Sequence, residues 1–181
     1  MSLKSIDIDD SWALFLDRDG VINKRNFEGY ITQVEDFTFL PDVLDSLKSL
    51  RQTFGYIFII TNQQGIGKGL MTSSNLDDIH RYMLDQLKEN NVEIDGVYVA
   101  TNLRGDQNDR RKPNPAMAQE AKQRFPKVEF AKSIMVGDTN SDIEFGMNLG
   151  MKTVLVKSRE VVELRPDLII DNLKELVDEI N

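Results

Sequence analysis

The sequence predicts an α/β fold in which a parallel sheet lies between two layers of helices, a three-layer Rossmann-like arrangement. Two observations lead to this prediction. Six apolar runs, each too short for a helix, recur along the 181 residues, and segments with helical spacing of apolar residues separate them. Strands that alternate with helices pair in parallel, because right-handed crossovers return the chain to the same edge of the sheet. Ligands bind such sheets at the carboxyl ends of the strands, so function is expected there.

The strands are predicted from continuous apolar runs, which are typical of strands buried on both faces. In chain order these runs are 12–16, 56–60, 97–100, 134–136, 153–156 and 168–170. The helices are predicted from apolar residues that recur at three- and four-residue intervals. They cover 43–50, 76–87, 117–121, 143–149 and 173–180. Ser74 with Asp77 resembles a capping box for the second helix, and Gly150 a C-terminal cap for the fourth.

Composition predicts one globular domain over residues 1–181 and restricts the function classes. The net charge of -8 opposes attraction to phosphate backbones and anionic membranes, so neither nucleic acid nor a membrane is expected as a partner. No apolar run approaches the roughly 20 residues of a membrane helix. The acidic N-terminus is not typical of a signal peptide, which predicts a cytoplasmic protein. The chain has no cysteine, which excludes thiolate nucleophiles and cysteine-ligated zinc. Composition does not indicate the oligomeric state, and a monomer is the default expectation.

Polar side chains follow four of the predicted strands. They are Asp17 and Asp19, Thr61 and Asn62, Lys112, and Asp138. Carboxylates without a histidine or cysteine partner suit Mg²⁺, and a hydroxyl with a cation suits phosphate oxygens. A carboxylate beside a metal can attack phosphorus, while a second carboxylate transfers protons. The pattern therefore predicts phosphoryl transfer at the carboxyl edge of the sheet.

Together these motifs resemble those of the haloacid dehalogenase (HAD) superfamily of phosphohydrolases, and the resemblance spans nearly the whole chain. The motifs are Asp17-Arg18-Asp19-Gly20, Thr61-Asn62, Lys112-Pro113, and Gly137-Asp138 with Asp142. Each motif alone is weak, but the four in this order at successive strand ends are highly specific. The extended motifs are similar to the branch that contains heptose 1,7-bisphosphate phosphatase and the histidinol-phosphate phosphatase domain.

The resemblance implies a catalytic role for four residues, Asp17, Asp19, Thr61 and Lys112, and a substrate-binding role for Asn62. Asp17 would be the nucleophile that forms an aspartyl-phosphate, and Asp19 the general acid and base. Thr61 and Asn62 would hold the transferring phosphoryl group, and Lys112 would neutralise it.

The resemblance also implies a metal and a substrate contact. Mg²⁺ would be held by Asp17, by the backbone carbonyl of Asp19 and by Asp138, with Asp142 supporting the metal shell. Arg111 would reach the substrate. The intervals between the motifs have no room for a large inserted domain, so a minimal cap is expected from residues 24–40.

One segment departs from the branch that the motifs resemble. Members often carry a zinc loop of cysteine and histidine just before the Arg-Lys-Pro segment, whereas residues 101–110 contain neither residue type. Substrate identity is therefore open, although the catalytic set is complete. His80, the single histidine, is remote in sequence from every motif, and a structural role is expected for it.

Several functions remain open at this point. The leading one is a Mg²⁺-dependent phosphomonoesterase acting on a small phosphorylated metabolite, a heptose phosphate or bisphosphate first of all. Histidinol phosphate is the alternative substrate, and a polynucleotide is disfavoured by the acidic charge. A receiver-type phospho-acceptor domain would have no use for a proton-transferring Asp19 two residues after its acceptor. A catalytically silent binding protein is disfavoured because no member of the catalytic set is missing.

Overall fold

The computed structural model describes Leu3 and residues 6–180, and it confirms the predicted parallel sheet. Six strands pair in the order β3-β2-β1-β4-β5-β6, and every pair is parallel. Strands β1 and β4, which are not consecutive in the chain, are neighbours in the middle of the sheet, so the direction of the strand order reverses between them. The strands are β1 (Ala13–Leu16), β2 (Tyr56–Asn62), β3 (Gly96–Ala100), β4 (Ser133–Gly137), β5 (Lys152–Val156) and β6 (Leu168–Ile170).

Helices cover both faces of the sheet. Along β1, Leu14 and Leu16 belong to a buried cluster with residues of α1, α3 and α6, whereas Ala13 and Phe15 belong to a second cluster with residues of α4 and α5. Successive strand residues point to opposite faces, which accounts for two separate cores. The helices are α1 (Val43–Thr53), α2 (Gln64–Gly67), α3 (Ser73–Glu89), α4 (Ala116–Arg124), α5 (Asn140–Asn148) and α6 (Leu173–Ile180). Within the described residues, no helix has both the length and the apolar character needed to cross a membrane.

The predicted capping box of α3 is wrong by two residues. The cap is Thr72, whose hydroxyl accepts the N–H of Asn75 at 3.1 Å, while the Asn75 side chain accepts the N–H of Thr72 at 2.9 Å. Met71 and Leu76 flank this box and are both buried in one cluster, as in a hydrophobic staple. The C-terminal cap of α5 is confirmed, because Gly150 has a φ of 72° and its N–H donates to the carbonyl of Met147.

The strand register places the predicted motif residues at one edge of the sheet. Leu16, the last residue of β1, pairs with Ile59 on one side and Val136 on the other. The N–H of Asp17 still donates to the carbonyl of Val136 at 2.9 Å, so its position is fixed by the sheet. Strand β2 continues past the predicted apolar run and includes Thr61.

The segment after β1 forms a small flap over this edge, which we define as residues 24–40. Two backbone hydrogen bonds close its base: Lys24 N–H to Thr38 at 2.8 Å, and Leu40 N–H to Ile22 at 2.9 Å. Between them the chain contains a short 3₁₀ turn, Val34–Asp36, and otherwise irregular backbone. The flap is the minimal cap that the sequence predicts.

Candidate active site

A cavity of about 420 Å³ opens at the carboxyl edge of the sheet. Six of the predicted site residues line it, namely Asp17, Asp19, Asn62, Arg111, Lys112 and Asp142. The structure therefore gathers residues from three strand ends and one long loop into one place. Thr61 does not line the cavity: it is buried in β2, and its hydroxyl accepts a hydrogen bond from the Gln63 side chain at 2.8 Å.

Lys112 joins two carboxylates at the floor of the cavity. Its ammonium lies 2.7 Å from Asp17 and 2.6 Å from Asp142, and all three side chains are nearly or fully buried. Burial alone would lower the pKa of Lys112, but the two carboxylates outweigh this effect and raise it. Asn62 holds the Lys112 backbone in place, accepting its N–H at 2.9 Å and donating to its carbonyl at 3.3 Å. Lys112 is therefore a fixed positive charge.

Three buried carboxylates converge beside Lys112. One oxygen each from Asp17, Asp138 and Asp142 lies within 4.8 Å of the others. Burial, with the neighbouring carboxylates, raises the pKa of Asp17 despite the opposing charge of Lys112. Burial and Asp142 raise the pKa of Asp138 to about 6. Within the described part of the chain, three carboxylates face only two cationic side chains, Lys112 and Arg25, so this group of oxygen ligands fits a hard divalent cation.

Asp142 also caps the start of helix α5. Its Oδ2 accepts the N–H of Asp138 at 3.2 Å, the N–H of Thr139 at 3.0 Å and the Thr139 hydroxyl at 2.6 Å. The Cβ that any larger residue would add at Gly137 would overlap the Asp142 side chain. Asp142 therefore ties the end of β4 to α5 and gives its other oxygen to Lys112.

The Asp19 carboxylate accepts four hydrogen bonds. Arg18 donates two, at 2.9 and 3.0 Å, Asn23 donates one at 2.9 Å, and Gln63 donates one at 2.8 Å. Burial would raise the pKa of Asp19, but Arg18 and these hydrogen bonds hold it below its usual value. The Asp19 side chain is thus well ordered and ionised. The predicted metal contact involves its backbone carbonyl and stays a prediction.

Arg25 is a residue of the site that sequence reasoning missed. Its Nη1 lies 3.1 and 3.2 Å from the two oxygens of Asp138, and its Nη2 lies 3.2 Å from Glu160. The ring of Phe27 is within 5.5 Å of Arg25 and within 5.4 Å of Arg159. Ion pairs therefore attach the flap to the carboxylates of Asp138 and Glu160, and a cation–π contact attaches it to Arg159. No periodic pattern in the flap indicates these contacts.

Gly20 permits a close approach to Asp138. Its φ of 93° lies in the region that favours glycine, and a Cβ there would overlap the Asp138 carboxylate. The packing against Asp138 thus explains why the first motif has a glycine at position 20.

Arg111 and Arg104 line the cavity on the side of the 101–110 loop. Arg111 Nε is buried and has no hydrogen-bond partner among the described residues. Arg110 instead forms an ion pair with Glu120, away from the cavity. The loop carries its own hydrogen bonds, among them one from the Arg111 N–H to the Asp109 side chain at 2.9 Å. Of the three arginines in residues 101–111, two thus border the site, Arg104 and Arg111.

Comparison with known proteins gives consistent matches. A family model described as "HAD-hyrolase-like" matches residues 109–176. D-glycero-alpha-D-manno-heptose-1,7-bisphosphate 7-phosphatase of Mycobacterium bovis is 41% identical over 138 residues, covering 76% of this chain and 73% of the relative. D-glycero-beta-D-manno-heptose-1,7-bisphosphate 7-phosphatase of Helicobacter pylori is 34% identical over 169 residues, covering 92% of this chain and 95% of the relative.

A crystal structure shares the fold. D,D-heptose 1.7-bisphosphate phosphatase from B. bronchiseptica, complexed with magnesium and phosphate, matches with a TM-score of 0.84 at 23% identity, over 93% of this chain and 97% of that chain. The motifs, the sheet and the curated relatives agree. The chain therefore belongs to the haloacid dehalogenase superfamily, as a phosphatase of the branch that contains the heptose-1,7-bisphosphate phosphatases.

Proposed function

We propose that this phosphatase is Mg²⁺-dependent and removes the 7-phosphate of a heptose 1,7-bisphosphate by way of an aspartyl-phosphate on Asp17. The observation that carries the proposal is the Lys112 ammonium, buried 2.7 Å from Asp17 at the floor of an open, polar cavity. The names of the curated relatives support the substrate class and include both the alpha and the beta anomer. Both anomers are therefore substrates to be compared.

The carboxylates beside Lys112 support the choice of metal. Asp17 and Asp138, with the backbone carbonyl of Asp19, would hold the ion, and Asp142 would stay with Lys112. Mg²⁺ suits a site with few carboxylates, because it keeps several positions for water and phosphate. When bound, Mg²⁺ supplies positive charge that offsets the carboxylates and the phosphoryl oxygens.

In the first step Asp17 attacks the phosphorus. A bond forms between its carboxylate oxygen and phosphorus, and the bond from phosphorus to the sugar oxygen breaks. Asp19, ionised in the free site, takes up a proton when the phosphate ester binds, for which the monoanionic form of the ester is a source. It then gives this proton to the departing oxygen, which is most important for a poor leaving group such as a sugar hydroxyl. Lys112 favours the ionised, nucleophilic form of Asp17 and neutralises the phosphoryl charge.

In the second step water cleaves the aspartyl-phosphate. Asp19, now ionised, takes a proton from the attacking water, a bond forms between the water oxygen and phosphorus, and Asp17 is regenerated as phosphate leaves. The four hydrogen bonds to Asp19 favour its ionised form and suit it to this step. Thr61 would contribute indirectly, because its hydroxyl holds the Gln63 amide that donates to Asp19.

The second phosphate of the substrate would meet two arginines of residues 101–111. Arg104 and Arg111 line the cavity, and a guanidinium binds phosphate in bidentate fashion. Arg111 Nε, without a partner among the described residues, is a donor that a ligand can use.

The test is phosphate release from the two heptose 1,7-bisphosphate anomers, histidinol phosphate and nucleotides, with ³¹P NMR to identify the product. We expect the 1-phosphate as product, no turnover by Asp17→Asn, and normal turnover by the control Asp171→Asn. Asp171 is an exposed carboxylate with an ion pair of its own. Fastest release from histidinol phosphate would replace the proposed substrate, and full activity of Asp17→Asn would refute the mechanism.

A further inference from the structure

The guanidinium of Arg18 is a buried link between the site and helix α3. Arg18 is fully buried although it lies between the two aspartates of the first motif. Within the described residues the hydrogen-bond partners of its guanidinium are Asp19 and His80, and its Nε has none. The orientation of this guanidinium therefore depends on two side chains, one in the site and one on α3.

His80 contacts a different nitrogen of the Arg18 guanidinium from the one that contacts Asp19. Its Nε2 lies 3.2 Å from Arg18 Nη1, while Arg18 Nη2 donates both hydrogen bonds to Asp19. Because an arginine is always protonated and only donates, Nε2 is the acceptor and the ring proton lies on Nδ1. Burial and the positive charge of Arg18 lower the pKa of His80 to about 4, which keeps the ring neutral at physiological pH.

Resting on the proposed function, we infer that His80 is a positioning residue for Asp19 and acts through Arg18. His80 holds Nη1 of the guanidinium, and Nη2 in turn holds the Asp19 carboxylate. Without an acceptor at position 80, the fully buried Arg18 loses one hydrogen bond, and the unpaired charged donor favours a shift of the guanidinium toward another acceptor. Asn23 and Gln63 would still contact Asp19, so the carboxylate would be displaced rather than released.

Displacement of Asp19 has a specific kinetic consequence. Proton transfer requires heavy-atom distances of about 2.6–3.2 Å, so it is sensitive to the position of the acid. The value of kcat/KM reports only the steps through transfer of the phosphoryl group to Asp17, in which Asp19 serves as the acid. An alkyl phosphate needs that acid, whereas an aryl phosphate with a good leaving group does not.

The test compares kcat/KM for an alkyl phosphate and for p-nitrophenyl phosphate in wild type, His80→Leu and His80→Gln. We expect His80→Leu to lose about tenfold on the alkyl ester and less than about twofold on the aryl ester. His80→Gln, whose amide oxygen can accept from Arg18, should restore most of the loss. Tyr82→Leu is the control on the same helix, because its ring contacts Phe37 and not Arg18.

Equal losses on the two esters, or no loss on either, would overturn the inference, as would a His80→Gln as impaired as His80→Leu. If His80→Leu does not fold, His80→Asn replaces it, because its shorter amide does not reach the guanidinium. Failure of the proposed function gives a different result: wild type would then release no phosphate from the heptose bisphosphates, whatever the ratio between the two simple esters.

Discussion

Replacing Lys112 with methionine should destabilise the protein strongly, because it leaves two buried carboxylates without their cation. Lys112 lies 2.7 Å from Asp17 and 2.6 Å from Asp142, whose side chains are 11% and 1% exposed. Breaking a buried pair in this way typically costs about 3–5 kcal/mol. For a domain of this size, each kcal/mol lowers Tm by about 2–4 °C, so we expect a decrease of about 6–20 °C.

The loss should also depend on pH. Without Lys112, protonation of the carboxylates is easier in the folded than in the unfolded state, so the folded state binds more protons. Stability then falls as pH rises from the unfolded pKa toward the raised folded pKa. With chelator present to remove metal ions, the decrease in Tm of Lys112→Met relative to wild type should thus be larger at about pH 8 than at about pH 5.

Thermal unfolding followed by circular dichroism measures both effects. Lys157→Met is the matched control: Lys157 also lies 2.6 Å from a carboxylate, that of Asp171, but both side chains are more than half exposed. Exposed pairs contribute little, so its Tm should stay near that of wild type. Equal Tm values for Lys112→Met and Lys157→Met would refute the reasoning about burial.

Three further predictions concern the metal and the substrate. Burial and Asp142 raise the pKa of Asp138 to about 6, so protons compete with Mg²⁺ for this carboxylate at low pH. Calorimetry should show an Mg²⁺ affinity that rises with pH through about 6. An affinity that does not change with pH would exclude Asp138 as a ligand. Arg25→Gln should bind Mg²⁺ several-fold more tightly, because a positive charge 3.1 Å from Asp138 is removed; unchanged or weaker binding would contradict this. Arg111→Ala should lower kcat/KM for a bisphosphate by about 10- to 100-fold, as expected for a charge-assisted contact. An equal loss of kcat/KM on a monophosphate would contradict a role of Arg111 in binding the second phosphate.

The sequence predicts the core of the site well because parallel strands impose a simple geometry. Asp17 and Asp138 follow adjacent strands, so their proximity follows from the topology alone. Thr61 shows the limit of this reasoning. Its position at the strand end is as predicted, but its side chain is buried against Gln63. The strand pattern predicts where a strand ends, but not which side chains at that end point into the cavity.

Contacts between distant side chains were beyond the reach of the pattern. Arg25 and Asp138 are 113 residues apart, and Arg18 and His80 are 62 apart. The flap has no periodicity, and a single histidine on an amphipathic helix carries no signal for its partner. Cap registers are similarly ambiguous, since Thr72 and Ser74 both begin a suitable spacing; the burial of Met71 is consistent with the observed choice.

Gly20 has a consequence for changing the specificity of this enzyme by directed evolution. Its backbone conformation and its proximity to Asp138 each disfavour any other residue, so a library that randomises the first motif would consist mainly of damaged variants. The flap residues Asn26 and Tyr30 border the active-site cavity from a segment without regular secondary structure. Diversity placed there, with the first motif kept constant, should yield new substrate ranges at the lowest loss of folded protein.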